Sequence, residues 1–175
     1  MGRNQKRILL PFGRGVKKGV PDSKAVILKN SVSRFDSLAE GTQLQKSLNS
    51  ISKEAKKVIV HSLRFSSASS IKLFLNSIKN SGHLDSFLSS IHEPKKLSEL
   101  LNTFDDPTKL GKFVNRIIVP SRFGMLLGVI SPARLGFLIN SKEAFGLLFA
   151  LDHEEFTLSE MPGYIKYLEY NLTRK

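Results

Sequence analysis

Residues 84–130 read LDSFLSSIHEPKKLSELLNTFDDPTKLGKFVNRIIVPSRFGMLLGVI, and one apolar spacing is written through them four times. Taking the first apolar residue of each unit as position a, apolar side chains fall at a, a+3, a+4 and a+7. The units are Leu84, Phe87, Leu88, Ile91; Leu97, Leu100, Leu101, Phe104; Leu110, Phe113, Val114, Ile117; and Phe123, Leu126, Leu127, Ile130. Working outward, Ile71, Phe74, Leu75 and Ile78 form an earlier unit. Two later ones match in three places, as Leu135, Leu138, Ile139 and Phe145, Leu148, Phe149. Successive a positions lie 13, 13, 13, 13, 12 and 10 residues apart. That spacing puts one apolar stripe on each of a series of short helices.

Prolines punctuate the series. Pro94, Pro107, Pro120 and Pro132 each stand three residues before an a position. A proline costs nothing in the first turn of a helix, where its missing amide hydrogen would be unpaired, and it stops the preceding helix from running through. Asp105 and Asp106 before Pro107, and Ser131 before Pro132, add cap signals, while Gly82 reads as a helix C-terminus. Each unit is then about ten helical residues and a turn, roughly 15 Å of helix. Helices this short are marginal alone and must be held by neighbours. The expected fold is all-α, a stacked array of short amphipathic helices. The unit is shorter than the established two-helix repeats, so two of them would make a hairpin of about 26 residues.

The flanks divide the chain. Residues 1–35 form a basic arm broken by Gly2, Gly13, Gly15, Gly19, Pro11 and Pro21, with a short apolar run at residues 25–28. Residues 36–151 carry the helical array. It opens at a capping box, Ser37 with Glu40. The longest helix is expected next, with Leu44, Leu48, Ile51, Ala55, Val58, Ile59 and Leu63 on one face and a break near residues 50–52. Ser66 to Ser70 make a polar hinge with N-cap candidates. Residues 152–175 form an acidic turn and a last helix, opened by Ser159, whose polar faces would close the open end of a stack.

Composition bounds the function. The 175 residues carry a formal charge of +12, and residues 1–35 hold nine Lys or Arg against Asp22 alone, which is +8 of it. Such an arm suits a polyanionic partner. There is no Cys, so thiol chemistry and Cys-ligated zinc are excluded. The four His show no metal-ligand spacing, and no nucleophile has a triad setting. Gly13 to Gly19 resembles a phosphate loop in composition but lacks the Gly-Lys-Ser/Thr ending. Charges interrupt every apolar run, and the start lacks a secretory core, so the expectation is a soluble protein of a cytoplasmic or nuclear-type compartment with no cofactor.

Two columns of the repeat invite a functional reading. Position a−1 runs Ser70, His83, Lys96, Lys109, Arg122, Arg134, Ala144, a ladder that becomes basic; position a+1 runs Lys72, Asp85, Ser98, Gly111, Gly124, Gly136, Gly146. Glycine inside a helix costs about 1 kcal/mol against alanine. Four occurrences in one column are read as close approach between adjacent helices, in preference to backbone contact with a ligand. The ladder is either a solvated edge or a row of cations for successive phosphates. The expected contact residues for nucleic acid are Arg3, Lys6, Arg7, Arg14, Lys17, Lys18 and Lys24 of the arm, Lys53, Lys56 and Lys57 of the first long helix, and Lys96, Lys109, Arg122 and Arg134 of the ladder. The expected activity is therefore non-enzymatic binding of RNA or DNA phosphates. The alternative is a protein-interaction or assembly module, such as a viral structural component or secreted effector, or one held at a membrane surface. An enzyme, built for instance on His61 with Glu54, comes third.

Overall fold

The computed structural model describes residues 43–174 together with Phe35, Ser37 and Leu38. The basic arm, including the run at residues 25–28, and Glu40 of the capping box lie outside the described residues. Ten helices and no strand are present among those described: α1 (Gln43–Ser50), α2 (Lys53–Ser62), α3 (Ala68–Ser77), α4 (Ser81–Ser89), α5 (Lys95–Leu101), α6 (Thr108–Arg116), α7 (Pro120–Leu126), α8 (Pro132–Ile139), α9 (Ala144–Asp152) and α10 (Met161–Thr173). The all-α expectation holds, with helices of 7 to 10 residues in the repeat region. The expected long helix is two, parted at Ser52, whose hydroxyl accepts the amide of Ala55 and caps α2. The longest helix is instead α10, with 13 residues.

Side-chain caps explain some of the boundaries. Ser67 accepts from the amide of Ser70 at the start of α3, and Asp106 accepts both the amide and the hydroxyl of Thr108 at the start of α6. These bonds hold the Asp106 carboxyl below its ordinary range. Ser131 makes no side-chain cap bond, and α8 begins on Pro132 alone. Gly82 does not end a helix. It lies in the first turn of α4, where its amide and that of His83 donate to Asn80. The last helix starts two residues later than Ser159 suggests, after a turn in which the Glu160 carboxylate reaches back to the amide and hydroxyl of Thr157.

The repeat side chains form one continuous core. From Ile71 to Ile139 every a, a+3, a+4 and a+7 residue of the first six units is buried, except Ile78, which packs partly buried against it. The seventh unit is out of phase. Phe145 is 68% exposed and Phe149 43% exposed, while Leu147, Leu148, Ala150 and Leu151 are buried. The core frame there is Ala144, Leu147, Leu148, Leu151, one residue earlier than the bulky phenylalanines suggest. Alanine carries too little hydropathy to mark an a position, so the aromatic pair captures the pattern.

The helices do not pair as hairpins. The closest packing in the middle of the array joins helices three places apart: α3 with α6, α4 with α7, and α5 with α8; α2 lies closest to α4, and α9 meets α8 and α10. The chain therefore coils with about three helices per turn. Gly111 lies against Phe74 and Ser77, and Asn115, one turn later, bonds Ser77 and Lys79, so α3 and α6 run the same way past each other. A Cβ on Gly111, Gly124 or Gly136 would stand 1.7, 1.9 or 1.9 Å from the hydroxyl oxygen of Ser77, Ser90 or Thr103. The a+1 glycine of one unit thus receives the a+6 hydroxyl of the unit three before. Each hydroxyl is turned down onto a carbonyl of its own helix, Phe74, Phe87 or Leu100, at 2.6 to 2.7 Å. This leaves the space to the neighbouring backbone. A Cβ on Gly146, which the corrected phase removes from the column, would meet only flexible side-chain ends, of Leu168 and Glu143.

Candidate nucleic-acid interface

On α2 the residues opposite the core face are Lys53, Lys56, Lys57, Val60 and His61, at the i, i+3, i+4, i+7, i+8 spacing of one helical stripe. Ala55, Val58, Ile59 and Ser62 fill the buried side and fix which way the stripe faces. Arg64 extends it beyond the helix end, in a turn where the amides of Leu63 and Arg64 donate to Ile59 and His61. With Pro94, which precedes α5, these six residues line an open cavity of about 500 Å³.

Four of the seven lining residues are cationic, with Glu54 the one acid in the first turn of α2. Ion pairs among the described residues are two, Lys95 with Glu99 and Arg134 with Glu169, so none of the α2 cations is neutralised by one. Asp85, the acid packed against the start of α2, is committed to the amide of Ser52 at 2.7 Å. Burial first and the charge of Arg64 second hold the His61 pKa below the ordinary 6.5. Its Nδ1 is closed to solvent and has no hydrogen-bond partner among the described residues. The ring lies 5.3 Å from that of Phe65, which is 56% exposed and has the Arg64 guanidinium above it.

A second basic groove, of about 230 Å³, lies where α6 meets α8 and α9, lined by Lys109, Lys112 and Arg116 with Phe113, Ile139, Asn140 and Ala144. Lys109 belongs to the expected ladder; Lys112 and Arg116 share its helical face at i+3 and i+7 and carry the signal that a single column misses.

The ladder itself is divided. Lys109 is exposed and Lys96 half-buried. Arg122 and Arg134, expected to face phosphates, are turned to internal partners. Arg122 donates to the carbonyls of His153, at 2.7 Å, and of Phe156, holding the turn between α9 and α10. Arg134 meets Glu169 of α10 through two bonds of 2.7 Å, which lowers the Glu169 pKa and raises that of the arginine. Both side chains fasten the last helix to the array. Lys53, Lys56 and Lys57 come together as expected, joined by Arg64 and His61. The arm residues Arg3, Lys6, Arg7, Arg14, Lys17, Lys18 and Lys24 lie outside the described residues.

No group of three or more His, Asp or Glu among the described residues could hold a metal ion, and no described helix is long and apolar enough to cross a membrane. No protein-family model matches the chain, and neither does any curated protein or solved structure.

Proposed function

We propose that this protein is a non-enzymatic binder of nucleic acid, gripping RNA or DNA phosphates with the basic arm and the outward face of α2. The observation that carries the reading is the α2 stripe: Lys53, Lys56, Lys57 and Arg64 surround one cavity, and none of them is held in an ion pair among the described residues. The first three crowd the end of α2 where the helix dipole already disfavours cations, and like charges at i, i+3 and i+4 repel by a few tenths of a kcal/mol each. An anion in the cavity relieves that repulsion. The arm adds counterion-release affinity with little sequence preference.

The test is binding of a labelled single-stranded RNA across a salt series. Replacing Lys56 and Lys57 by Ala lowers the slope of log K against log salt by about 1.4, from 0.7 per phosphate contact on a single strand. Replacing the seven arm cations by Gln lowers it further. Unchanged affinity in both variants rejects the proposal.

A second reading, a protein-interaction or assembly module, is favoured by one observation. Phe145 and Phe149 follow each other along the exposed side of α9, His153 stacks on Phe149 at 3.8 Å, and Ile118, 73% exposed, is tied beside them through Asp152. Association that grows with concentration and survives high salt would select that reading.

A further inference from the structure

We infer that the α2 cavity is a base-recognising pocket, which seats one unstacked base of a single-stranded nucleic acid between its cationic ends. The inference rests on the nucleic-acid reading and deepens it: phosphate contacts alone need no cavity.

The order of groups along the helix carries the argument. Lys53, Lys56 and Lys57 occupy its first turns, Val60 and His61 follow, and Arg64 stands at the far end, a span of about 16 Å from Lys53 to Arg64 at 1.5 Å per residue. The sequence of chemistry is cation, uncharged apolar and aromatic surface, then cation. A single strand presents the complementary order of phosphate, base, phosphate. The cavity of about 500 Å³ lies in the range of pockets for small molecules, large enough for a nucleoside.

Its walls suit a flat ring. Val60, Pro94 and the methylene stems of the lysines supply apolar surface, and long cationic side chains cover such surface while their charged ends stay in water. His61 supplies the one ring of the lining, and Phe65 lies behind it at 5.3 Å with the Arg64 guanidinium above Phe65. Base stacking on aromatic side chains is the usual anchor for single strands, and cations beside the rings add to it. The His61 ring nitrogen that has no partner in the protein fits the same picture, since rotation of the ring offers it to a base edge. Double-stranded nucleic acid, with its bases stacked inside, cannot enter.

The experiment compares two ligands of equal length and charge on the full chain by fluorescence anisotropy: a 12-nucleotide single-stranded RNA, and an abasic oligomer carrying the sugar-phosphate backbone alone. The expected result is tighter binding of the base-bearing strand by about 5- to 150-fold for one stacked base. Val60→Met, on an outward face of α2, fills the cavity without adding a ring and removes that preference while the salt slope is kept. Pro94→Leu narrows it from the opposite wall and does the same if the first variant melts early. Equal affinity for the two oligomers overturns the inference and leaves the phosphate reading standing. Binding of neither oligomer overturns both. Cavity-dependent binding to phosphatidylserine vesicles, with no preference for bases, assigns the apolar wall to an acyl chain and overturns the inference too.

Discussion

Replacing Gly124 by alanine should destabilise the protein, although alanine is the better helix former. In isolation the change favours α7 by about 1 kcal/mol. In the array, the new Cβ would lie 1.9 Å from the Ser90 hydroxyl oxygen, 2.5 Å from the Phe87 carbonyl oxygen and 3.0 Å from the Ser90 Cβ. The hydroxyl could rotate away, at the loss of its 2.7 Å bond to Phe87, worth roughly 0.5–1.5 kcal/mol. The carbonyl belongs to the backbone of α4 and moves only if the two helices part. Overpacking of this kind costs about 1–3 kcal/mol. The sum is a net destabilisation of about 2 kcal/mol, a fall in Tm of about 4–8 °C for a chain of this size. Gly163→Ala is the internal control, since a Cβ there meets nothing within 4 Å. That variant should gain about 0.4–1 kcal/mol and melt about 1–4 °C higher. Thermal melts and urea midpoints of both variants test the prediction. Adding Ser90→Ala to Gly124→Ala should recover only part of the loss, because the Phe87 oxygen remains. If Gly124→Ala raised Tm as Gly163→Ala does, the close approach of α4 and α7 would not be what the glycine serves.

The phase of the seventh unit is open to an equally direct test. Phe145→Ser should change stability by less than about 0.5 kcal/mol, as exposed positions do, whereas Leu148→Ala should cost about 2–5 kcal/mol; comparable losses in urea midpoint would restore the aromatic phase. Glu169→Gln should cost about 0.5–1 kcal/mol at pH 7, since the two side chains are about one-third exposed and screened by water. The Arg134 bonds hold the Glu169 carboxyl below its ordinary 4.5, so the contribution is full above that pH and is lost as pH falls through the lowered value. The stability gap between wild type and Glu169→Gln should accordingly narrow on acidification from pH 7 to pH 3; a constant gap would mean that the pair does not set it.

Much of the helical frame was legible because it depends on neighbours in sequence. The a, a+3, a+4, a+7 spacing and the proline three residues before four of the a positions act within one or two turns, and all but one of the bulky residues they mark in the first six units are buried. The same locality explains the failure at Ala144: with no bulky side chain to mark the stripe, Phe145 and Phe149 supplied a false one.

The sequence by itself determined the succession of short helices, the identity of most core residues and the concentration of positive charge in the arm and on α2. It could not determine which helix lies against which, because spacing along the chain says nothing about how far each turn rotates the next helix. Only the tertiary structure set α3, α4 and α5 against the helices three places on. That packing made each a+1 glycine a seat for a hydroxyl 33 or 34 residues earlier. It also turned Arg122 and Arg134 inward to partners 31 to 35 residues away, and brought Pro94 across from α5 to close the α2 cavity. These contacts join residues whose separation is the length of a full coil, and the rotation that brings them together arises from the packing of side chains between helices.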